Sequence, residues 1–285
     1  MKPNTFKFLR PENLGEALKL MQEKKDDVVI LAGGQSLIPM MNMRLINSSN
    51  VVDLSALSEL VGITNYKEKI KIGAMTRYTD LKKSEIIREY CPLLCDAIEY
   101  VAHAAVRNRG TVGGTLALSH PSAELPGCFV ALNAEVVIES ELRGQRKMNV
   151  EEFIQGMMTT KIAIDEIITG IEIPKSNNVR HWFGEVSRRQ GDFCIAAVAI
   201  NTTTENNNHE NIRIVIIGAS TKPIRMTGIE LRMTNSEKDI TIKDIADELK
   251  ERIDFIDDIF NSAAGKIHIT TELILEGLKH FKNMH

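Results

Sequence analysis

The sequence has few cysteines, no excess of either charge and no long apolar run, and each scarcity excludes a class of protein. Four cysteines in 285 residues are too few for a disulfide scaffold, which predicts a reducing compartment. No apolar stretch reaches transmembrane length and the amino terminus has no signal-peptide pattern, so we expect a soluble, cytoplasmic protein. The 35 basic residues nearly balance the 38 acidic ones, which gives no electrostatic case for nucleic acid or an anionic membrane.

The chain is long enough for two domains, each with its own core. The polar segment 174–178 is the best candidate linker, so we expect a larger α+β part over 1–175 and a smaller part over 176–285. Apolar patterning in the larger part predicts strands at 6–9, 28–32, 51–54, 69–72, 135–139 and 167–173, and helices at 12–24, within 77–103 with a break at Pro92, and at 124–132. The smaller part is predicted to contain strands at 182–187, 194–203 and 212–218, a solvated hairpin loop at 205–210, and then helices.

Two glycine pairs are the most informative motif in the chain. Gly33-Gly34 follows the predicted strand 28–32, and Gly113-Gly114 precedes an irregular polar loop expected over 117–126. Bare backbone N–H groups in a tight turn bind an anion without any lysine. Two such turns can hold the two ends of a diphosphate, which predicts a dinucleotide. A helical pattern begins at Ser36, so the first turn is expected to open at a helix N-terminus, which favours phosphate.

Other signatures of cofactor chemistry are limited. Glu124 follows the second glycine pair, and we expect it to accept a ribose hydroxyl rather than to contact phosphate. Neither the G-x-G-x-x-G pattern nor the P-loop lysine signature occurs, so the dinucleotide site is of another kind. Cys91 and Cys95 are four apart, whereas Cys128 and Cys194 are distant, which is not an iron–sulfur pattern. We therefore expect no metal and no catalytic residue on this chain.

Several motifs, in order along nearly the whole chain, carry a resemblance to a known family. They are Ala-Gly-Gly-Gln-Ser-Leu-x-Pro-x-Met at 32–41 with Arg44, Arg-Asn-x-Gly-Thr-x-Gly-Gly at 107–114, Pro-x-Ala-Glu-Leu-Pro at 121–126, Glu-Ile-Ile-x-x-Ile-x-Ile-Pro at 166–174, and Arg-Arg-x-Gly-Asp-Phe at 188–193. With them the chain resembles the FAD-binding (medium) subunits of molybdenum hydroxylases. That family includes bacterial xanthine dehydrogenases, carbon monoxide dehydrogenases and dehydrogenases of aromatic heterocycles.

The resemblance implies an α+β fold. An FAD-binding domain of the vanillyl-alcohol-oxidase (PCMH) type would occupy 1–175, with subdomains at about 1–56 and 57–175 and the FAD between them. A smaller carboxy-terminal domain over 176–285, built from a three-stranded antiparallel sheet and helices, would follow.

The resemblance also implies the residues that hold FAD. The pyrophosphate, ribityl and ribose groups would lie against two segments: Ala32, Gly33, Gly34, Gln35, Ser36 and Leu37, and Thr111, Val112, Gly113, Gly114 and Thr115. A ribose or ribityl hydroxyl would donate a hydrogen bond to Glu124. Further cofactor contacts are implied at Leu31, Ala102 and Ile168, and contacts near the isoalloxazine at Arg188, Asp192 and Phe193. Valine at Gly33 or Gly114 is expected to abolish FAD retention while the fold survives.

The implied function is electron transfer. A partner bearing molybdopterin would oxidise the substrate, and a small partner with two 2Fe–2S clusters would pass the electrons to this FAD, which would deliver them to NAD or another acceptor. Two alternatives stay open: a stand-alone FAD-dependent oxidase or reductase of the same flavin fold, and a binding or assembly protein whose flavin site has decayed. The FAD, iron and molybdenum content of the native protein would distinguish the three.

Overall fold

The fold was analysed in a computed structural model that describes residues 2–205, 208–235, 240–255, 257 and 261–282. The strands in these ranges are β1 (Lys7–Leu9), β2 (Val29–Leu31), β3 (Asn50–Asp53), β4 (Ile63–Asn65), β5 (Lys69–Gly73), β6 (Glu135–Ser140), β7 (Gly144–Asn149), β8 (Ile154–Gly156), β9 (Thr159–Thr160), β10 (Glu166–Pro174), β11 (Val179–Val186), β12 (Ala196–Glu205), β13 (Asn208–Ile217) and β14 (Ile224–Arg225). The helices are α1 (Leu14–Lys24), α2 (Leu37–Asn42), α3 (Tyr78–Lys83), α4 (Glu85–Tyr90), α5 (Pro92–Tyr100), α6 (Ala104–Arg107), α7 (Val112–Leu118), α8 (Glu124–Ala131), α9 (Val150–Phe153), α10 (Thr227–Thr234), α11 (Ile242–Arg252) and α12 (Ala263–Lys282). Nowhere in the described ranges is a helix both long enough and apolar enough to cross a bilayer.

The amino-terminal part is a small parallel sheet with strand order β1-β3-β2, covered by α1. Helix α1 buries Ala17, Leu18 and Met21, which recur at helical spacing and pack in one cluster with Val52 of β3. The Asn13 side chain caps α1 by accepting a hydrogen bond from the Glu16 N–H at 2.9 Å. This packing fixes the end of β2, from which the first glycine segment emerges.

The middle part is an antiparallel sheet with strand order β4-β5-β10-β6-β7 and a layer of helices that shares its core. Helix α8 lies deepest in that layer, because all of its residues are buried. A helix that is apolar on every side must be covered on every side. The middle part covers one side of α8, and the sheet of the carboxy-terminal part covers another.

The carboxy-terminal sheet has strand order β11-β12-β13-β14, all antiparallel, and is buried on both faces. Alternate residues of β12 and β13 belong to two different cores, as the two-residue period of a strand requires. The core shared with α5 and α8 contains Ala197, Ala199, Val215 and Ile217, whereas the core shared with α10, α11 and α12 contains Val198, Ile200, Ile214 and Ile216.

The α+β fold class is confirmed, and three local expectations need correction. The turn and irregular loop expected from 111 onward are wrong for 112–118, which form α7 with Thr111 as N-cap. The helical stretch 77–103 has the expected break at Pro92, where α5 begins, and also an unexpected break at Ser84, the N-cap of α4. Strand β14 adds a fourth strand to the carboxy-terminal sheet, and β12 and β13 extend to Glu205 and Asn208, so most of the loop expected at 205–210 is strand; residues 206–207 lie outside the described ranges.

Candidate functional site

A cleft of about 490 Å³ lies where the three parts of the fold meet. Of the residues expected to hold a cofactor, it is lined by Ala32, Gly33, Gly34, Gln35, Ser36, Leu37, Ala102, Thr111, Gly113, Gly114, Thr115, Glu124, Ile168, Asp192 and Phe193. Leu31, Val112 and Arg188 are not among the lining residues. Leu31 is part of β2, Val112 is fully buried in the core of the middle part, and Arg188 lies on the turn after β11.

The first glycine segment runs from β2 to the start of α2 and is held by close backbone contact. A Cβ on Gly33 would overlap the carbonyl oxygen of Arg109, so only glycine lets this segment lie against residues 109–110. Gly34 has a φ of 74°, in the left-handed region that glycine adopts without strain. Valine at Gly33 is therefore expected to disturb the fold as well as FAD binding, because a backbone neighbour blocks the side chain.

The same segment presents unused backbone donors to the cleft. The N–H groups of Gly33, Gly34, Gln35 and Ser36 donate to no partner among the described residues. The Gln35 side chain keeps the turn in shape, since its Nε2 donates to the Gly33 carbonyl at 3.1 Å. Helix α2 then begins at Leu37 without a side-chain cap. Successive free N–H groups that lead into a helix make a concavity for an anion.

The second glycine segment uses its backbone donors internally. The N–H groups of residues 112–115 donate to oxygens of Ala74, Thr76 and Thr111 at 2.7–3.2 Å. The expectation of bare amides in both segments is thus correct for the first and wrong for the second. The second segment contributes a surface without a side chain at Gly114, which leaves room in the cleft. A Cβ on Gly114 would lie 3.7 Å from the Cβ of Ala32, so the two segments meet at the cleft.

Glu124 is the one carboxylate expected at this site that is buried. It is the first residue of α8, it is 7% exposed, and it lines the cleft. Burial raises the pKa of Glu124 to about 7, and its own backbone N–H opposes the rise. Tyr78 lines the cleft beside it, with a pKa raised by burial and held back by its hydrogen bond with Thr115. Glu124 can therefore change charge near neutral pH.

The carboxy-terminal part closes one end of the cleft through residues 191–193. The rings of Phe193 and His120 stack with centroids 4.0 Å apart and an interplanar angle of 14°. Phe193 is 62% exposed even so, while burial lowers the pKa of His120. Gly191 approaches Ala102 so closely that a Cβ on it would lie 2.9 Å from the Ala102 carbonyl oxygen.

Sequence reasoning missed several lining residues, including Tyr78, Val101 and His120. His120 was visible as part of the polar loop, but nothing in the sequence paired it with Phe193. No lysine or arginine lines this cleft in the part of the chain that the structure describes. A second cleft of about 220 Å³ behind the Gly33 backbone contains Arg77 and Arg109.

The described residues bring together no group of three or more His, Cys, Asp or Glu side chains that could hold a metal. All four cysteines are free thiols. The donor set of the main cleft, with backbone N–H groups, a buried carboxylate and apolar walls, suits an organic anion with hydroxyl groups and flat rings.

Comparison with known proteins identifies the family. The family model described as "FAD binding domain in molybdopterin dehydrogenase" matches residues 4–176, and "CO dehydrogenase flavoprotein C-terminal domain" matches residues 181–281. Caffeine dehydrogenase subunit beta of Pseudomonas sp. (strain CBB1) is 38% identical over 81% of this chain and 78% of that subunit. The glyceraldehyde dehydrogenase medium chain of Sulfolobus acidocaldarius is 32% identical over 98% of this chain and 99% of its own length.

A solved structure agrees with these sequence matches. A chain of carbon monoxide dehydrogenase from Hydrogenophaga pseudoflava superimposes with a TM-score of 0.91 at 28% identity, covering 98% of both chains. The free amides of the first glycine segment, the buried Glu124 and the close approach at Gly114 fit the diphosphate and the hydroxyl groups of FAD. The chain belongs to the FAD-binding medium subunits of the molybdenum hydroxylases, and it is an oxidoreductase subunit.

Proposed function

We propose that this chain holds FAD in the main cleft and transfers electrons from iron–sulfur clusters of a partner subunit to NAD or another acceptor. The observation that carries the proposal is the row of four backbone N–H groups at Gly33–Ser36 that are unused by the described residues, in a cleft that no described lysine or arginine lines. Such donors neutralise a diphosphate without a fixed positive side chain.

Each part of the cleft has a role in this proposal. The N–H groups of Gly33, Gly34, Gln35 and Ser36 bind the diphosphate, and Glu124 accepts hydrogen bonds from a ribose or ribityl hydroxyl. The bare surface of Gly114 lets the cofactor approach the start of α7. Apolar contacts from Ala102 and Ile168 pack against its rings, with residues 188–193 at the isoalloxazine. Leu37 contacts the cofactor from the start of α2, and Leu31 and Val112 position the two segments from behind.

Bound FAD supplies the exchange between one-electron and two-electron carriers, and the protein supplies binding and surroundings. The walls formed by Met75, Val101 and Ile167 exclude water from one side of the cleft. The stacked pair of Phe193 and His120 covers the end nearest the carboxy-terminal sheet. The exposed edge of Phe193 marks where a partner or an acceptor can approach.

The names of the relatives support a multi-subunit enzyme over a stand-alone oxidase. The matched proteins are a dehydrogenase subunit beta and a dehydrogenase medium chain, and this chain matches the latter over nearly its whole length. We therefore propose a molybdopterin-bearing large subunit and a 2Fe–2S small subunit as partners, in the cytoplasm.

Purification of the native complex tests the proposal. We expect one FAD per copy of this chain, together with iron and molybdenum on co-purifying chains. Anaerobic addition of NADH should bleach the flavin absorption if NAD is the acceptor. FAD on a lone polypeptide without metal would support the stand-alone alternative, and a colourless chain that takes up no FAD would contradict both. If the complex contains the metals but NADH does not reduce its flavin, then NAD is excluded as the acceptor and the rest of the proposal stands.

A further inference from the structure

Glu185 is a titratable residue that the proposed function leaves unused. It lies on β11, and both of its carboxyl oxygens are enclosed without a hydrogen-bond partner among the described residues. An ionised carboxylate in such a place is strongly disfavoured, because it loses its hydration and gains nothing in return. Burial accordingly raises the pKa of Glu185 to about 8, and the charge of Glu124 adds to the rise.

The position of Glu185 follows from the direction of β11. Alternate residues of this strand point toward α5: His181 Nε2 lies 3.0 Å from Asp96 Oδ2, and the Phe183 ring centroid lies 5.2 Å from that of Tyr100. Glu185 is the next residue on this face, about 6.6 Å farther along the strand. Since Tyr100 is the last residue of α5, Glu185 reaches past the helix end toward the cleft.

Contacts of the neighbouring strand place the same region beside Glu124. In the sheet Glu185 pairs with Ala197, and the Ile195 N–H donates to the Val186 carbonyl. Just before this strand, the Cys194 thiol donates to the Ser122 carbonyl at 3.6 Å, two residues before Glu124. The seam between β11 and the start of α8 therefore contains two buried carboxyl groups.

Among the described residues, Glu124 of α8 is the one charged group that acts on the pKa of Glu185, and it is acidic. The charge of Glu185 in turn raises the pKa of Tyr100 on α5, of Cys128 on α8 and of Cys194 before β12, in each case after the larger effect of burial. His181, on the same face of β11, is engaged with Asp96, and burial and the charge of His280 lower its pKa. Glu276 of α12 acts on Tyr100 and is also acidic.

We propose that Glu185 is a positioning residue that stays protonated, so that Glu124 alone carries the negative charge that accepts the hydroxyl hydrogen bonds of FAD. Two close carboxyl groups in a buried seam share protons as a unit. Glu185 keeps its proton longer, because both of its oxygens lack a hydrogen-bond partner among the described residues, whereas a backbone N–H stabilises the charge of Glu124. Ionisation of Glu185 adds a second negative charge beside Glu124. The inference rests on the proposed role of Glu124, and it makes FAD affinity sensitive to alkaline pH.

The test is a titration of the FAD-free full-length chain with FAD at several pH values. We expect the dissociation constant to rise about tenfold from about pH 7 to about pH 9.5 in the wild type, because one close like charge shifts an equilibrium by about a factor of ten or more. The isosteric Glu185→Gln variant stays neutral, so its affinity should change less than about threefold over the same range. An unchanged alkaline loss in Glu185→Gln would overturn the inference.

Two further measurements keep the outcomes distinct. Infrared titration of the wild type should show a protonated buried carboxyl band that disappears near pH 8 and is missing in Glu185→Gln; absence of this band at neutral pH would also overturn the inference. Glu124→Gln tests the underlying role, and we expect it to weaken FAD binding at all pH values. If Glu124→Gln binds FAD normally, the proposed role of Glu124 fails; if only the Glu185→Gln result fails, the proposed function stands without the inference.

Discussion

At the scale of single residues, the two glycine pairs have different physical reasons for lacking a side chain. Gly33 is blocked by the backbone of Arg109, so any larger residue must displace a neighbouring segment. Gly114 has only the Thr111 hydroxyl and the Ala32 methyl near its missing Cβ, at 2.8 Å and 3.7 Å. The Thr111 hydroxyl can turn away only by giving up the Gly114 N–H bond that caps α7, whereas the Arg109 carbonyl is part of the backbone and cannot turn away at all. A methyl group at Gly114 therefore narrows the cleft with the loss of one helix cap, and one at Gly33 displaces a backbone segment.

Gly114→Ala is expected to weaken FAD binding about tenfold or more and to lower stability by about 0.5–2 kcal/mol, because the methyl group displaces the Thr111 cap of α7. The added methyl group occupies the surface that the cofactor approaches, and alanine is favourable within a helix. Fluorescence titration of the FAD-free chain measures the affinity, and thermal unfolding measures the stability. Gly15→Ala, in the first turn of α1 and with only Asn13 Oδ1 within contact at 3.4 Å, is the matched control. Wild-type affinity in Gly114→Ala would remove Gly114 from the binding surface.

At the scale of elements, α8 and β13 approach each other at Gly127. A Cβ on this residue would overlap the Ile217 side chain, so the helix packs on the sheet through its bare backbone. This contact joins the middle part to the carboxy-terminal sheet directly behind Glu124. The position of the cleft therefore depends on the fit of one helix against one strand.

Gly127→Ala is expected to destabilise the chain by about 1–3 kcal/mol, because an extra methyl group in a tightly packed core forces its neighbours apart. Ile217→Ala removes the side-chain atoms that the methyl group would meet, so the double variant should lose less stability than the sum of the two single changes. Denaturant unfolding of the four proteins gives the coupling energy. Gly156→Ala, which meets nothing within 4 Å, serves as control. If the losses in unfolding free energy of the two single variants add up to that of the double variant, Gly127 and Ile217 do not press on each other.

Sequence patterns predicted those elements whose side chains carry the pattern themselves. Strands β6 and β10 and helix α8 are strongly apolar. The bounds predicted for all three agree with the observed bounds within a residue or two. Strand β7 was missed because it is polar and largely exposed, and it belongs to the sheet through main-chain pairing with β6 alone. Such pairing depends on the neighbouring strand and leaves no side-chain period to read.

The site was predictable to the same extent. The turn at Gly33-Gly34 and the helix after it follow from local sequence, and the structure shows both. The amides of the second glycine segment could not be judged from sequence, because their acceptors, Ala74 and Thr76, come from a distant part of the chain. The same is true of Tyr78 and of the stacking between His120 and Phe193.

At the scale of the whole molecule, the carboxy-terminal sheet is a shared wall. One face of β12 and β13 completes the core around α8, and the other supports the last three helices. Residues 191–193 also line the cleft, which the first two parts alone would leave open at one end. The cleft is therefore formed by all three parts, although the free backbone N–H groups that we propose for the diphosphate come from the first.

A chain that ends at residue 176 is accordingly expected to lose most of its FAD and to expose an apolar surface. Removal of the sheet uncovers the side of α8 that packs on Ile217 and Val215, and it removes Asp192 and Phe193 from the cleft. Exposed apolar patches of this kind drive association, so the fragment should elute as aggregates and bind a hydrophobic dye. Co-expression of residues 177–285 as a separate chain should restore a defined complex and its FAD, because the two cores are complementary. A monomeric 1–176 fragment that binds FAD as tightly as the full chain would show that the carboxy-terminal sheet covers the cleft without contributing to it.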